Sequence, residues 1–261
     1  MGAKADGAKG ARVCGVDLGT HTALLSYADA GGAERQAACR TVVGRPKDGM
    51  LPGVLPSGKE AFCGEEAVRN RLYLDLFFPL AGGVVRSPED ARKVLRHLVA
   101  EVGLEGAADL RAVIGCPPNA SLEERLEIRR AADGVFERVF IAPVPFLCAL
   151  ALREVARSAE GARGDPLRQA LFLDLGAGTT DLCILRGYYP GPEDQVRLAA
   201  AGDEIDRLLV EGTQARYPDV KLSPVAATDL KEAHAFVGEP SAPVRVDVMV
   251  GGRPRPVDLT G

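Results

Sequence analysis

The stretch LFLDLGAGTTDLCILRG, residues 171–187, decides the reading of this chain. Two apolar runs flank a Gly-Ala-Gly-Thr-Thr turn, with Asp174 before it and Asp181 after it. An ordinary tight hairpin is satisfied by a single turn glycine. The surplus of glycines, threonines and carboxylates asks for a second explanation. The same grammar occurs earlier, in VCGVDLGTHTALLS, residues 13–26. Both stretches run from an apolar strand through Asp-Leu-Gly to threonine and into a second apolar strand. Gly-rich turns expose main-chain N–H groups, and successive N–H groups form an anion-binding concavity. Thr20, Thr22, Thr179 and Thr180 add hydroxyl donors. Two such turns are suited to grip one polyphosphate from opposite sides. Asp17 and Asp174 would then face phosphate and need a cation between, a task that Mg²⁺ performs through retained waters. Neither turn is a P-loop, because Gly-Lys-Ser/Thr is missing and a strand follows instead of a helix.

Composition bounds the rest. The 261 residues suffice for one large domain or two ordinary ones. Hydrophobic residues make up 46%, enough for a substantial core, and the charged fraction of 26% is ordinary. A net charge of -4 argues against a nucleic-acid partner. No apolar run reaches the roughly 18 residues of a membrane span. The start, MGAKADGAKGAR, has no apolar stretch of the secretory kind and reads as a flexible tail over 1–11. The six cysteines form no CxxC pair. Cys14, Cys116, Cys148 and Cys183 lie in apolar runs and are expected to be small buried hydrophobes in a reducing cytosol. His21, His97 and His234 show no metal-ligand spacing.

Along the chain, 12–17, 22–28 and 36–44 read as three strands, and the Gly/Pro-rich 45–60 as a loop. CGEEAVRNR (63–71) reads as a short helix. Residues 88–103 form a better one, with Ser87-Pro88 at its start and Val94, Leu95, Leu98 and Val99 on one face. A strand at LRAVIGC, a helix opened by a Ser121/Glu124 capping box, a strand over 135–145 and an apolar helix from Phe146 follow. After a linker-like break at 160–169 come the quoted hairpin, a strand at QVRLAAAG, helices over 203–217 and 222–238, and a terminal hairpin around GGRP. The order is mixed α/β with two similar halves.

These residues resemble the actin, Hsp70 and sugar-kinase superfamily, whose members clamp ATP between two phosphate hairpins. VVGRPKDG, RLYLDLFFPLAGGV, AVIGCPP, LDLGAGTTDLCILRGYYPGPEDQVRLAAAG and LKEAHAFVGEP are similar to segments of bacterial actin-like proteins of the MamK and MreB type. The resemblance spans about residues 12–255, and the distinctive PGPEDQV favours the MamK side. It implies an actin-like (ribonuclease H-like) two-domain ATPase fold, incomplete in its second domain. The first domain would comprise 12–43 and 86–157, with 44–85 as a small inserted subdomain. The second would comprise 166–202, with 203–261 as a further, truncated region. By the same resemblance Gly15, Asp17, Leu18, Gly19, Thr20 and His21 would form the first phosphate loop. Gly176, Ala177, Gly178 and Thr179 would form the second. Asp17 and Asp174 would stand near Mg²⁺, and Asp174, Thr180 and Asp181 near the attacking water. Gly202 and Asp203 would approach the ribose, and Lys231 and Glu232 would flank the nucleoside of ATP.

Two departures qualify what the resemblance implies. The family places a glutamate that orients the attacking water just before a proline at the interdomain helix. Here Val144 holds that position in FIAPVPFL, and valine cannot position water. Water-positioning groups contribute about 10²–10⁴-fold, so ATP hydrolysis is expected to be weak or lost while binding survives. The chain is also expected to lack a C-terminal portion holding a Gly-Gly-Gly adenine clasp. The first expectation is a cytoplasmic, cytoskeletal filament protein whose partners are its own protomers, with magnetosome organisation as the implied role and magnetosome-associated proteins as further partners. An MreB-like shape role is its nearest rival. The second is a hydrolysis-deficient regulator of a full-length actin-like homologue. A small-molecule kinase is the third, and no substrate base supports it. No nucleic acid and no membrane span are expected.

Overall fold

The computed structural model describes residues 11–29, 31–49, 53–55, 59, 61–158, 165–238 and 243–259. The expected tail therefore lies, but for Ala11, outside the described residues, as do parts of the loop at 45–60 and of the break at 160–169. The chain divides into two compact units, Met1–Leu198 and Ala199–Gly261.

The first unit begins with β1 (Arg12–Leu18), β2 (Thr22–Ala28) and β3 (Glu34–Arg40), an antiparallel meander. The chain then leaves this sheet for a small one made by β4 (Val43–Pro46), β5 (Phe62–Cys63) and, after the short helix α1 (Gly64–Arg69), β6 (Leu74–Phe77). The continuous third strand read over 36–44 is thus two strands in two sheets. The break sits at Thr41, which is 1% exposed. Its N–H donates to the His21 carbonyl (2.8 Å) and its hydroxyl to the Gly19 carbonyl (2.8 Å), which pins the chain to the first turn and redirects it.

A two-strand hairpin, β7 (Leu80–Ala81) and β8 (Val84–Val85), precedes α2 (Pro88–Glu101). Ser87 caps α2 and Pro88 fits its first turn, where no N–H is needed. β9 (Leu110–Cys116), α3 (Leu122–Ala132) and β10 (Arg138–Pro143) follow. Ser121 and Glu124 form both halves of the expected capping box. β9 and β10 extend the meander in parallel, giving the sheet order β10-β9-β1-β2-β3. Val94, Leu95 and Leu98 of α2 and Ile128 and Ala131 of α3 share one core with Cys14, Val16, Leu25 and Ile114 from that sheet.

The helix α4 (Val144–Ser158) starts two residues before the expected Phe146. Pro145 does not delay it, because a proline in a first turn sacrifices no helical hydrogen bond. The second sheet is the antiparallel meander β11 (Ala170–Leu175), β12 (Thr180–Leu185) and β13 (Gln195–Leu198), with a 3₁₀ turn at Pro192–Asp194. Ala149 of α4 packs on Cys183 and Leu185 beneath it.

The second unit holds α5 (Gly202–Arg216), α6 (Pro224–His234) and the hairpin β14 (Arg245–Val250) with β15 (Arg253–Asp258). The Thr228 hydroxyl of α6 donates to Asp206 of α5 (2.7 Å). The helix read over 222–238 is shorter than expected. Ala235 is already extended, and Phe236 and Val237 beyond it are 52% and 105% exposed. Among the described residues no helix is long and apolar enough to cross a membrane.

Candidate functional site

Both Gly-rich turns close in the same way. The Gly19 N–H donates to the Thr22 carbonyl (3.1 Å), and the Gly176 N–H donates to the Thr179 carbonyl (2.9 Å). Neither turn contains a residue of positive φ, so their glycines do not serve left-handed backbone. They serve close approach. A Cβ on Gly19 would stand 2.6 Å from the Thr22 carbonyl oxygen, and one on Gly176 2.9 Å from that of Thr179. A Cβ on Gly178 would land on the Thr20 hydroxyl. The two turns, 13–26 and 171–185 in the sequence, therefore abut each other within the first unit.

A third turn completes the cluster, and sequence reasoning missed it. β7 and β8 are joined by Gly82 and Gly83, with φ of +58° and +72°, the two left-handed positions of a tight hairpin. The Gly83 N–H donates to the Thr20 hydroxyl (2.9 Å). A Cβ on Gly83 would lie 3.2 Å from both Pro117 Cγ and Thr179 Cγ2. The Gly-Gly pair between apolar residues was a readable hairpin signal, but its contact with Thr20 and Thr179 is long-range.

The carboxylates stand behind these turns. The carboxyl of Asp17 is raised above its ordinary range, first by the protein crowded around it and then by the negative charge of Asp174. Cys148 of α4 belongs to the same neighbourhood. Its thiol is raised by desolvation and then by Asp174 and Asp17. Cys148 is exposed, against the expectation that it is buried, because α4 turns it toward the carboxylates and not into the core. Val144 opens the same helix, and its Cγ2 lies 2.8 Å from where a Cβ on Gly115 would be. Among the described residues no three His, Cys, Asp or Glu side chains group as metal ligands. A cation between Asp17 and Asp174 would complete its shell with phosphate oxygens and water, as Mg²⁺ commonly does.

Asp181, 5% exposed, is held differently. Burial raises its carboxyl and Asp174 adds to this, while the Thr179 hydroxyl (3.0 Å) and Arg197 favour the charged form. The Arg197 guanidinium donates to Glu124 (2.8 Å) and to the Pro118 carbonyl (2.9 Å). Asn119 donates to the Gln195 carbonyl (2.8 Å). These bonds tie the 118–124 segment before and at the start of α3 to β13. Thr180, beside Asp181, is buried at the start of β12. Gly15 lies on β1 opposite Ser26, Leu18 is buried under the sheet, and Ala177 and His21 occupy the turn tips.

In the second unit, Lys231 of α6 donates to the Gly202 carbonyl (3.1 Å) and pairs with Asp206 (2.9 Å). This joins Gly202 and Asp203, at the start of α5, to Lys231 and Glu232, although Gly202 and Lys231 are 29 residues apart in sequence. Lys231 was expected beside a nucleoside. Its ammonium also has a structural task within the unit.

Known proteins bear on this arrangement. No family model matches the chain. The actin-like protein MamK of Paramagnetospirillum magneticum is 33% identical over 259 residues, covering 97% of this chain and 69% of that protein. That of Magnetospirillum gryphiswaldense is 33% identical over 97% of this chain and 67% of its own length. A MamK double-helical filament structure matches with a TM-score of 0.79 at 32% identity, covering 96% of this chain and 73% of the other. A non-polymerising MamK mutant bound to AMPPNP matches with a TM-score of 0.58 at 32% identity, over 97% of this chain and 74% of that one. MreB5 of Spiroplasma citri bound to ADP shares the fold, with a TM-score of 0.68 at 18% identity over 95% of this chain and 71% of its own. The repeated hairpins and this likeness along nearly the whole chain lead to one statement of kinship: the chain belongs to the MamK family of actin-like proteins.

Proposed function

We propose that the chain is an actin-like cytoskeletal protein that binds Mg-ATP at the paired turns and assembles into filaments. The observation that carries this reading is the pair of turns with one closure pattern, in mutual contact, with Asp174 near enough to Asp17 to raise its carboxyl. Gly19–His21 and Gly176–Thr179 would hold the phosphates through main-chain N–H groups, and Thr20 through its hydroxyl. Bound Mg²⁺ would supply the positive charge that lets phosphate sit beside Asp17 and Asp174, which hold it through water. Thr180 and Asp181 would stand near the attacking water, Asp181 oriented by Thr179. Gly202, Asp203, Lys231 and Glu232 would flank the ribose and base. The division into 12–43 with 86–157, 44–85, 166–202 and 203–261 goes with this reading. The related protein named above as a double-helical filament, and the one bound to AMPPNP, support assembly and nucleotide binding here. A cytoplasmic setting and magnetosome organisation follow from kinship with MamK, with an MreB-like shape role as the rival.

Val144 favours a second reading, a nucleotide-binding regulator that does not hydrolyse ATP and acts on a full-length relative. Both readings meet one experiment. Purified chain is sedimented with and without Mg-ATP, with Asp17→Ala as the control. ATP-dependent pelleting that the control loses supports filament formation. Soluble, folded protein that pellets only with a full-length MamK filament supports the regulator. Protein that neither binds ATP nor sediments under any of these conditions excludes both.

A further inference from the structure

The stretch PGPEDQV, distinctive in the sequence, takes no part in the paired turns. With the residues around the start of α3 it walls a cavity of about 480 Å³ in the first unit, a size at which small organic ligands bind. Asn119, Arg125, Tyr189, Pro190, Pro192 and Gln195 supply most of the wall. Gln195 is 8% exposed. Its amide N–H groups donate to the Pro190 carbonyl (3.1 Å) and the Gly191 carbonyl (3.0 Å), which fixes the orientation of the amide. Its Oε1 is then buried without a hydrogen-bond partner. Such an acceptor costs stability until a donor reaches it. Arg125 is, among the described residues, the one charged side chain of the wall. Its Nε–H donates to the Ala120 carbonyl (3.1 Å) and the guanidinium also bonds the Tyr189 hydroxyl, which leaves N–H groups to spare. The Tyr189 ring rests against Phe146, with centroids 5.2 Å apart. The acidic residues of the stretch are placed elsewhere: Asp194 pairs with Arg186 (3.2 Å), and Glu193 lies over Gly191. Asn119 has φ of +55°, uncommon outside glycine, and its amide reaches the Pro192 (3.3 Å) and Gln195 (2.8 Å) carbonyls. Bonds spanning 73 and 76 residues of sequence thus hold the two walls together.

We propose that this cavity binds a small organic carboxylate that carries an N–H donor on an apolar body, the chemistry of an N-acylated apolar amino acid. The carboxylate pairs with the Arg125 guanidinium, a fork that matches two carboxylate oxygens. The ligand N–H donates to Gln195 Oε1. The apolar body lies among the Tyr189 ring, Pro190 and Pro192. Other classes fit less well. A metal ion would meet the charge of Arg125. A polyphosphate would find one cation only. A simple inorganic anion would leave the Gln195 oxygen unmet. The volume suits one such molecule and not a longer chain. The inference rests neither on nucleotide binding nor on filament assembly.

The test titrates the 261-residue chain with N-acetyl-L-phenylalanine, without nucleotide, and follows amide signals by NMR. The expected result is saturable binding with a Kd of about 1 mM or tighter, and shifts at 119–125 and 189–195. N-acetyl-L-phenylalaninamide, which lacks the carboxylate, and hydrocinnamate, which lacks the N–H, each bind about tenfold or more weakly. Arg125→Gln weakens the parent probe by a similar factor and levels it with the amide probe. The probe series needs no change in the protein, so it decides even where the variant misfolds. No saturable binding to the folded chain up to about 20 mM overturns the proposal. So does binding indifferent to loss of both the carboxylate and the N–H, or shifts confined to 19–21 and 176–179. A probe extended at its N-terminal side by three alanines that binds more tightly assigns the cavity to a polypeptide end and overturns the small-molecule reading. Because no nucleotide enters the readout, failure of ATP binding is a separate outcome.

Discussion

At the scale of single residues, Asp17 sets stability against the nucleotide-binding role proposed for it. Its carboxyl is raised first by surrounding protein and then by Asp174. A carboxyl raised in the folded state binds its proton more tightly there than in the unfolded chain. Stability is therefore present at low pH and lost as pH rises from the ordinary carboxylate range through the raised value. Asp17→Asn removes that loss. The variant is expected to melt higher than the parent at pH 7.5 without nucleotide, a gap that closes as pH falls into the ordinary carboxylate range. Mg-ATP should raise the parent's melting temperature and leave the variant's unmoved, since linkage stabilises only what binds. A scanning-fluorimetry matrix of pH and Mg-ATP reads both effects, and equal stabilisation of parent and variant by Mg-ATP would remove Asp17 from the site. Val144 is the complementary case, a valine where the resemblance places a water-orienting glutamate. Val144→Glu places a carboxylate at the head of α4, and phosphate release from ATP is expected to rise about tenfold or more with nucleotide affinity unchanged. An unchanged rate in a variant that still binds ATP would show that valine is not what limits hydrolysis.

At the scale of elements, the β7–β8 hairpin separates two jobs of glycine within one turn. Gly82 has φ of +58° and open space at its Cβ position, so it answers only to backbone conformation. Gly83 has φ of +72° and neighbours at 3.2 Å, so it answers to conformation and to close approach. Gly82→Ala should cost about 1–2 kcal/mol in urea unfolding, the cost of a left-handed alanine. Gly83→Ala should cost more and also weaken AMPPNP binding, because its methyl pushes on Thr179 while its N–H holds Thr20. Equal effects of the two changes on binding would detach this hairpin from the site. The pair also marks what sequence reveals. Both Gly-rich hairpin turns were legible because Asp-Leu-Gly, threonine and flanking apolar runs are local signals, and the Ser121/Glu124 box was legible for the same reason. The turn at Thr41 was not, because its cause is a bond to Gly19, 22 residues away in sequence. Nor was the exposure of Cys148, since an apolar run does not say which helix face meets a core. The Arg197 bonds to Glu124 and Pro118 span 73 and 79 residues, and no spacing rule reaches that far.

At the scale of the whole molecule, the internal repeat offers a matched experiment on where folding energy resides. Val16 and Leu173 hold equivalent positions, two back from the turn glycine's preceding leucine, on equivalent strands of equivalent meanders. Their registers are the same, so a large difference between them reports what covers them. Val16 is 4% exposed within the core shared by α2 and α3, and Leu173 is 57% exposed. Truncating a buried aliphatic loses transfer energy and leaves a cavity, whereas truncating an exposed one does neither. Val16→Ala should therefore cost about 2 kcal/mol, although it removes fewer carbons than Leu173→Ala, which should stay within about 0.5 kcal/mol. Urea titrations of the two variants, followed by circular dichroism, give the comparison in one instrument. Two equal losses would mean that the second sheet is already covered in solution, and that its bare leucines do not stay bare. The expected inequality would locate most of the chain's stability in the first sheet and its helices. The second meander would then be held by α4 and by the Arg197 and Asn119 bonds.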